Sequence, residues 1–531
     1  MAIQGNLPNL FSMAVWLWTI AALCIALVWK GAAKLLLKPW ILEAKLRQQG
    51  IRGPPRSILS GNVYEIFQMR ARTEAECIQG PITHDIVEYV QPHLLHWAKL
   101  YGLPLLWWWG TEPGVVLTDL DMIKEVLYNK SGAFWSPEWQ RKFQVDILGR
   151  GLAVVNGDEW AFRRRILAPA FHAEKIKFMV GGMRDCVAEM LEKWNALTEG
   201  KDEPIELEVC KELTTLTSDI ISRAAFGSSY KKGHKVFELL DQVGGLVYKK
   251  FSSPWIQSML PICKLNREIK TANSKLRSTL EEIVQARRDQ KLAGEIDNYG
   301  SDLLGIMLDE VDAGHHDDKT GLSFTTDSLM EECKTFYIAG QETSAKWLAW
   351  TMMLLAANPS WQEQAREEVR QVCQSQAPDA ESLSKLKIVG MVLNESLRLY
   401  PPAVFNVRSC YKDAKLGHLS FPEGSGVIIP ILYLLHDKDI WGDDANEFNP
   451  QRFADGISSA SKSRHSCAFL PFSQGQRVCL GQSFAQIEAK VAMAMILQRF
   501  SFRLSPTYRH SPVHRLALQP QHGLPLLLGR P

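Results

Sequence analysis

A cysteine holds a metal only as a thiolate, and a thiolate needs positive potential near it. Ten cysteines are scattered along this 531-residue chain, and no two stand at CxxC spacing. That argues against a structural zinc site or a thioredoxin-type motif. Cys479 is set apart by its neighbours, in the run Pro471-Phe472-Ser473-Gln474-Gly475-Gln476-Arg477-Val478-Cys479-Leu480-Gly481. Gly475 and Gly481 let the backbone turn tightly and approach a bulky, flat partner. Residues 482–500 contain no proline and place Phe484, Ile487, Val491 and Met495 on one helical face. Cys479 therefore comes just before a helix N-terminus, whose dipole and free N–H groups favour the thiolate. Arg477 adds positive charge two residues away. This combination suits an iron ligand, whereas the other nine cysteines read as small buried hydrophobes.

Glu342 and Thr343 form a second pair, an acid beside a hydroxyl, able to pass protons. Gly340 precedes them inside a helical pattern, where glycine costs about 1 kcal/mol relative to alanine. It leaves room either for a bound molecule or for a close helix neighbour. Taken alone, the pair would read as a surface carboxylate and a capping threonine.

The elements that must position these groups are mostly helical. The stretch 326–357 is the longest helical pattern; Ser328 and Glu331 stand at capping-box spacing, and Pro359 stops it. A helix of that length, over about 40 Å, crosses a whole domain. Residues 185–197 and 273–293 are further proline-free helical stretches, and strand patterns are short, at 114–118 and 426–431. The expected class is mainly α with a minor β part. Residues 294–321 are polar and Asp-rich and read as a surface loop, with His315-His316-Asp317-Asp318 as a solvated turn rather than a metal site. Trp107-Trp108-Trp109 reads as core or membrane-facing surface rather than as a binding platform.

Hydrophobic residues make up 46% and charged residues 22% of the chain, the balance of a globular protein. Lys+Arg at 60 against Asp+Glu at 58 leave a net charge of +2, which gives no drive toward nucleic acid. GxGxxG, GxxxxGK(S/T), HExxH and GxSxG are absent, so no nucleotide-binding fingerprint is present. Residues 1–29 contain no Asp, Glu, Lys or Arg, and the apolar run 10–29 is long enough as a helix to cross roughly 30 Å of hydrocarbon. Lys30, Lys34, Lys38, Lys45 and Arg47 follow it, which keeps the C-terminal bulk on the cytoplasmic side. Arg52-Gly53-Pro54-Pro55-Arg56 reads as a stiff joint. The expected organisation is an anchor at 1–30, a basic, proline-rich hinge at 31–56 and a catalytic body at 57–531.

The Cys479 segment fits FxxGxRxCxG and resembles the haem-binding signature of the cytochromes P450, the haem-thiolate monooxygenases. Further motifs stand in that family's order. Ala339-Gly340-Gln341-Glu342-Thr343-Ser344 resembles its oxygen-activation motif, Glu395-Ser396-Leu397-Arg398 its ExxR, and Pro450-Gln451-Arg452-Phe453 its PERF-like segment. Trp160 and Arg164 match WxxxR, so the resemblance spans nearly the whole chain. It is similar to land-plant members of the clan numbered seventy-two on Pro81-Ile82-Thr83-His84-Asp85, TFYIAGQETSAKWLAW and EAKVAMAMILQRFSF. That clan oxidises hormones, terpenoids and fatty-acid signals.

The resemblance implies a cytochrome P450 fold with an N-terminal transmembrane helix, and haem b with Cys479 as its proximal thiolate, a ligand that favours O–O cleavage. It implies cofactor contacts from Phe472 and propionate contacts from Trp160, Arg164, Arg408 and Arg477. Glu342 and Thr343 would handle protons, Gly340 would leave room for oxygen, and Glu395, Arg398 and Arg452 would form a buried ion network under the haem loop. Substrate contacts are expected from 134–143, 336–340 and 403–406. The implied activity inserts one atom of O2 into an apolar small molecule. Electrons would come from a separate NADPH–cytochrome P450 reductase docking near Lys462, Arg464 and His465. The implied location is the endoplasmic reticulum membrane, single-pass, in contact with lipid and facing the cytoplasm. Two alternatives stand beside this: a haem-thiolate isomerase or dehydratase acting on peroxides without O2, and a non-catalytic haem-binding protein. Enzymes of the first kind depart from the acid–threonine pattern kept here at Glu342 and Thr343.

Overall fold

A computed structural model describes residues 8–76, 78, 80, 82–227, 230–252 and 264–530. Cys77, Cys263, Pro81 and the first seven residues of the expected anchor lie outside it. The helices that matter to the site are α1 (Pro8–Ala32), α2 (Glu138–Leu148), α3 (Gly157–Leu167), α4 (Val209–Phe226), α5 (Tyr230–Ser252), α6 (Lys264–Leu292), α7 (Thr326–Ala357), α8 (Lys387–Leu399) and α9 (Gln482–Arg499).

Helix α7 has the bounds that its sequence pattern predicts, but a different cap. Thr325 Oγ1 accepts from the Ser328 N–H at 3.2 Å, and Glu331 instead takes the N–H of Arg150. Its second half is buried on almost every side, the mark of a core helix. Trp347 Nε1 donates to the Leu393 carbonyl of α8 at 3.1 Å, and Trp350 Nε1 to the Leu518 carbonyl at 2.9 Å. Thr217 of α4 donates to the Gln341 carbonyl at 3.0 Å.

Strands β1 (Leu105–Trp109), β2 (Glu112–Val116), β3 (Phe134–Trp135), β4 (Asn406–Cys410) and β5 (Gly426–Ile429) form a sheet in the order β1-β2-β5-β4-β3. Only β5 and β2 run parallel, with Gly426 opposite Gly114. The last strand ends earlier than expected because Pro430 has no N–H to give the ladder, and Ile431–His436 turns helical.

Residues 294–321 are not a plain loop. Helix Leu303–Asp312 lies inside that span, with Leu303, Leu304 and Leu308 buried. The two histidines and two aspartates beyond it go to separate ion pairs: His315 with Glu310 at 3.0 Å, His316 with Asp318 at 2.9 Å and Asp317 with Arg165 at 2.7 Å.

Helix α1 lies mostly within the candidate membrane span, Val15–Arg47, whose most apolar 18-residue stretch is not buried by the protein. The expected hinge after it is partly an integral piece of the body. Leu46 and Ile51 are fully buried. The Leu106 N–H donates to the Arg52 carbonyl at 2.8 Å, and a Cβ on Gly53 would overlap the Leu106 carbonyl. The chain is thus pinned to β1 before the double proline, and burial of its side chains already starts at Leu42.

Candidate functional site

The cysteine loop is built by a 3-10 turn, Gly475–Arg477, that runs into α9. Gly475 adopts φ +71°, and a Cβ there would lie 2.0 Å from the Leu127 carbonyl oxygen. Close approach to a protein backbone, not to a flat partner, therefore requires this glycine. The Cβ side of Gly481 is open. The Cys479 N–H donates to the Phe472 carbonyl at 2.9 Å, which fixes the loop's closure. The Cys479 side chain is exposed, yet burial is the main influence on its thiol and pushes its pKa up. The Gly481 N–H at the mouth of α9 and the Arg164 guanidinium pull the pKa the other way. The helix terminus acts as the sequence predicts, but the cation beside the sulfur is Arg164, whose Nη1 donates to the Val478 carbonyl at 3.0 Å, and not Arg477.

Arg477 turns to the other side of the loop. It donates to the Val155 carbonyl at 2.9 Å and to the Ala153 carbonyl at 3.3 Å, and lies 5.0 Å from the centre of the Trp160 ring. Its pKa is lowered to about 9 by burial and then by Arg408, Arg164 and Arg141. Arg408, on β4, donates to the Val407 carbonyl at 2.9 Å and to Asn406, and burial lowers its pKa to about 10. Arg141, which the sequence did not single out, donates to the Val154 carbonyl at 3.0 Å. None of these four arginines has a carboxylate partner among the described residues. Four half-buried or buried cations, with Arg477 in the field of the other three and all satisfied only by carbonyls, are matched to an anionic ligand. Trp160 Nε1 makes no hydrogen bond among the described residues and adds a donor to that set.

Helix α7 supplies the opposite wall. Most of it is buried, but Ala339 and Thr343, one turn apart, are exposed. Trp347 continues the same face and meets Phe472 of the cysteine loop edge-on at 6.0 Å. Thr343 therefore faces the loop that carries Cys479, with its hydroxyl bonded to the Ala339 carbonyl at 2.7 Å. Glu342 is turned away from that face. It lies 3.9 Å from Lys346, and burial, with Asp241 of α5 adding to it, raises its pKa. Gly340 serves packing: a Cβ there would stand 2.7 Å from Ile221 Cδ1 of α4.

Under the loop, Arg398 holds Glu395 through two hydrogen bonds of 2.7 and 2.8 Å and also donates to the Leu435 and Ala445 carbonyls. Arg452 lies 3.5 Å from Glu395, and Asp444, a fourth member not evident from motifs, pairs with Arg452 at 2.5 Å. Glu395 and Arg398 are completely buried.

A cleft of about 300 Å³ extends from the protein surface to Arg408. Its wall takes Phe143 from the expected region 134–143 and Phe405 from 403–406. Phe336, expected to join them, is instead stacked on Phe171 at 5.4 Å in the core. Trp107 and Trp109 line the cleft with Trp97 and Trp139, whereas Trp108 is fully buried. The tryptophan run is thus a binding wall on one face and core on the other, as strand alternation dictates.

A family model for cytochrome P450 matches residues 87–526. The chain is a cytochrome P450. It is 41% identical to cytochrome P450 CYP72A616 of Paris polyphylla over 96% of this chain and 98% of that one. It is 41% identical to 11-oxo-beta-amyrin 30-oxidase of Glycyrrhiza uralensis over 97% and 98%, and 39% identical to the cytokinin hydroxylase of Arabidopsis thaliana over 96% and 96%. Membership makes this P450 a monooxygenase that uses haem with cysteine thiolate ligation, O2, a redox partner and an apolar substrate. The residues fit that cofactor: an exposed cysteine beside the Arg164 guanidinium, and arginines without acid partners among the described residues for its two propionates.

Proposed function

We propose that this P450 is a membrane-anchored monooxygenase in which Cys479 holds haem b, and that its substrate is an apolar plant hormone, terpenoid or fatty-acid-like molecule. The observation that carries the site assignment is the arginine cluster: Arg164 of α3 bonded to the Cys479 loop, Arg477 in the field of Arg164 and Arg408, and no carboxylate among the described residues to neutralise them. Trp160, Arg164, Arg408 and Arg477 would hold the propionates, and Phe472 would brace the loop against Trp347. Haem bound there with a thiolate supplies the activation of O2 from which one oxygen atom enters a C–H bond.

The protein's own part is to hold protons and exclude water. Thr343 keeps its hydroxyl on the exposed stripe of α7 that runs on to Trp347, bonded to Ala339. Glu342 lies toward Asp241 of α5 and 3.9 Å from Lys346, one turn on along α7, and these two act on its charge in opposite directions. Its place fits a proton entry from the α5 side that ends at Thr343. Apolar substrate is supported by the tryptophan-lined cleft and by relatives named as hydroxylase and oxidase.

The domain reading becomes an anchor in α1, a short helical connection and a haem-thiolate body. Exposed Trp40, Ile58 and Tyr64 just after the anchor support a face lying on lipid, in the endoplasmic reticulum with the body in the cytoplasm. NADPH–cytochrome P450 reductase would dock on the Cys479 side. Lys462 and Arg464 are exposed there, while His465 is engaged by Asp121 at 3.3 Å, so the two former carry the contact. Microsomes containing the full chain and added reductase should convert a terpenoid or hormone library only with both NADPH and O2. Rearrangement or dehydration of an organic hydroperoxide substrate without either would favour the isomerase or dehydratase reading instead.

A further inference from the structure

Four charged side chains line the tryptophan-walled cleft: Arg70, Arg408, Arg515 and the acid Glu112. Burial holds the two cleft histidines neutral, with the pKa values of His93 and His514 lowered to about 3. The cleft is thus apolar with an excess of fixed positive charge. The three arginines are not equivalent. Arg70 is committed to Glu74 at 3.4 Å and to the His514 carbonyl. Arg408 is buried at the inner end, in the field of Arg477. Arg515 is exposed, and among the described residues its guanidinium meets the face of Tyr248, 4.9 Å from the ring centre. It has no carboxylate partner among the described residues.

Tyr248 belongs to α5 and Arg515 to the hairpin of Pro512–His514 and Leu518–Pro520. Their contact therefore bridges the outer mouth of the cleft, beside the exposed Leu516 and Phe405. A planar guanidinium with free N–H forks, held by an aromatic face at an apolar entrance, is a receptor for one carboxylate. An acid taken into an apolar cleft needs that partner, because an unpaired charge there is costly.

We propose that Arg515 anchors a carboxylate on the substrate, so that this P450 oxidises an amphipathic monocarboxylic acid. The acid enters apolar end first and is attacked at the end remote from its carboxylate. This rests on the monooxygenase reading above and narrows its substrate class. A phospholipid phosphate would present the same chemistry to Arg515, and the test separates the two.

The probes are dehydroabietic acid and its methyl ester, a rigid matched pair, titrated into the ferric full-length protein in phosphatidylcholine nanodiscs while the Soret shift is followed. The acid should bind at least about tenfold more tightly than the ester, the value of one charge-assisted hydrogen-bonded pair. Arg515→Gln should level the two by weakening the acid alone, and Arg515→Lys should keep part of the preference. No preference for the acid in the wild type, or an undiminished preference in Arg515→Gln, overturns the proposal. So does a variant whose only change is weaker adsorption to phosphatidylglycerol nanodiscs, which would assign Arg515 to lipid. A normal reduced carbon-monoxide spectrum in all variants keeps any such failure separate from failure of the haem reading.

Discussion

Ser344 Oγ donates a 2.6 Å hydrogen bond to Glu488 Oε2, in the fully buried contact between α7 and α9. One end of this bond lies next to Thr343 and the other on the helix that follows Cys479, so it ties the two walls of the site together. Glu488 Oε1 has no partner among the described residues, and burial raises the pKa to about 8, with the Ser344 hydrogen bond opposing. A raised carboxyl pKa favours folding below the unfolded value and loses that advantage as pH climbs. The wild type should therefore lose stability between about pH 4.5 and 8 through this group, by about 5 kcal/mol when the charge is complete. Glu488→Gln removes the titration but keeps an acceptor for Ser344. Melting temperatures at pH 6 and pH 9 should fall less in the variant; equal falls would contradict it. Glu332 and Asp219, also raised by burial, to about 7 and about 6, shift alike in both proteins and cancel.

Breaking the Glu395–Arg398–Arg452 network should cost haem rather than rate. Glu395→Gln leaves Arg398 buried without its anion, a loss of about 3–5 kcal/mol. Haem content per chain should drop severely, measured after pyridine extraction, while any loaded fraction turns over at the wild-type rate. A fully loaded but slow variant would give Glu395 a chemical role.

Gly340→Ala separates the two roles open to this glycine. With Ile221 Cδ1 only 2.7 Å from the new Cβ, overpacking should cost about 1–3 kcal/mol. In an Ile221→Ala background, itself destabilised by the lost packing, Gly340→Ala should cost much less than in the wild type. If Gly340→Ala melts like the wild type, the missing side chain is not needed for the packing of α7 on α4.

Asp146 joins four helices. Its carboxylate pairs with Lys250 of α5 at 3.0 Å, and its carbonyl accepts from Lys334 of α7 at 2.9 Å and from Asn273 of α6 at 3.1 Å. Because α2 lines the cleft, this node should hold it closed. Lys250→Met should change stability by less than about 1 kcal/mol, since the pair is partly exposed. It should quicken the binding of a bulky azole to the ferric protein in stopped flow. An unaltered association rate would place the gate elsewhere.

What the sequence made legible follows from how local each signal is. Helix α7 was readable to the residue because a proline stops it and its pattern is long. The cysteine loop was readable because glycines, an arginine and a following helix sit within ten positions. The helix Leu303–Asp312 was hidden because the polar residues around it masked its buried leucines. The cation beside Cys479 was misassigned because Arg164 comes from α3, more than three hundred residues away in sequence. The fate of Trp107 and Trp109 depends on which face of β1 meets the cleft, a property of the sheet and not of the run. The partner that makes Gly340 necessary, Ile221, likewise belongs to another helix.

The account stands on Cys479 as the haem ligand. The direct measurement is a reduced carbon-monoxide difference spectrum of microsomes carrying the full chain, beside Cys479→Ser. The wild type should show the red-shifted Soret band of a thiolate-ligated haem, and the variant should lack it. The same band in Cys479→Ser, or none in a well-folded wild type, would contradict the assignment and with it the roles given to Arg164, Arg408 and Arg477.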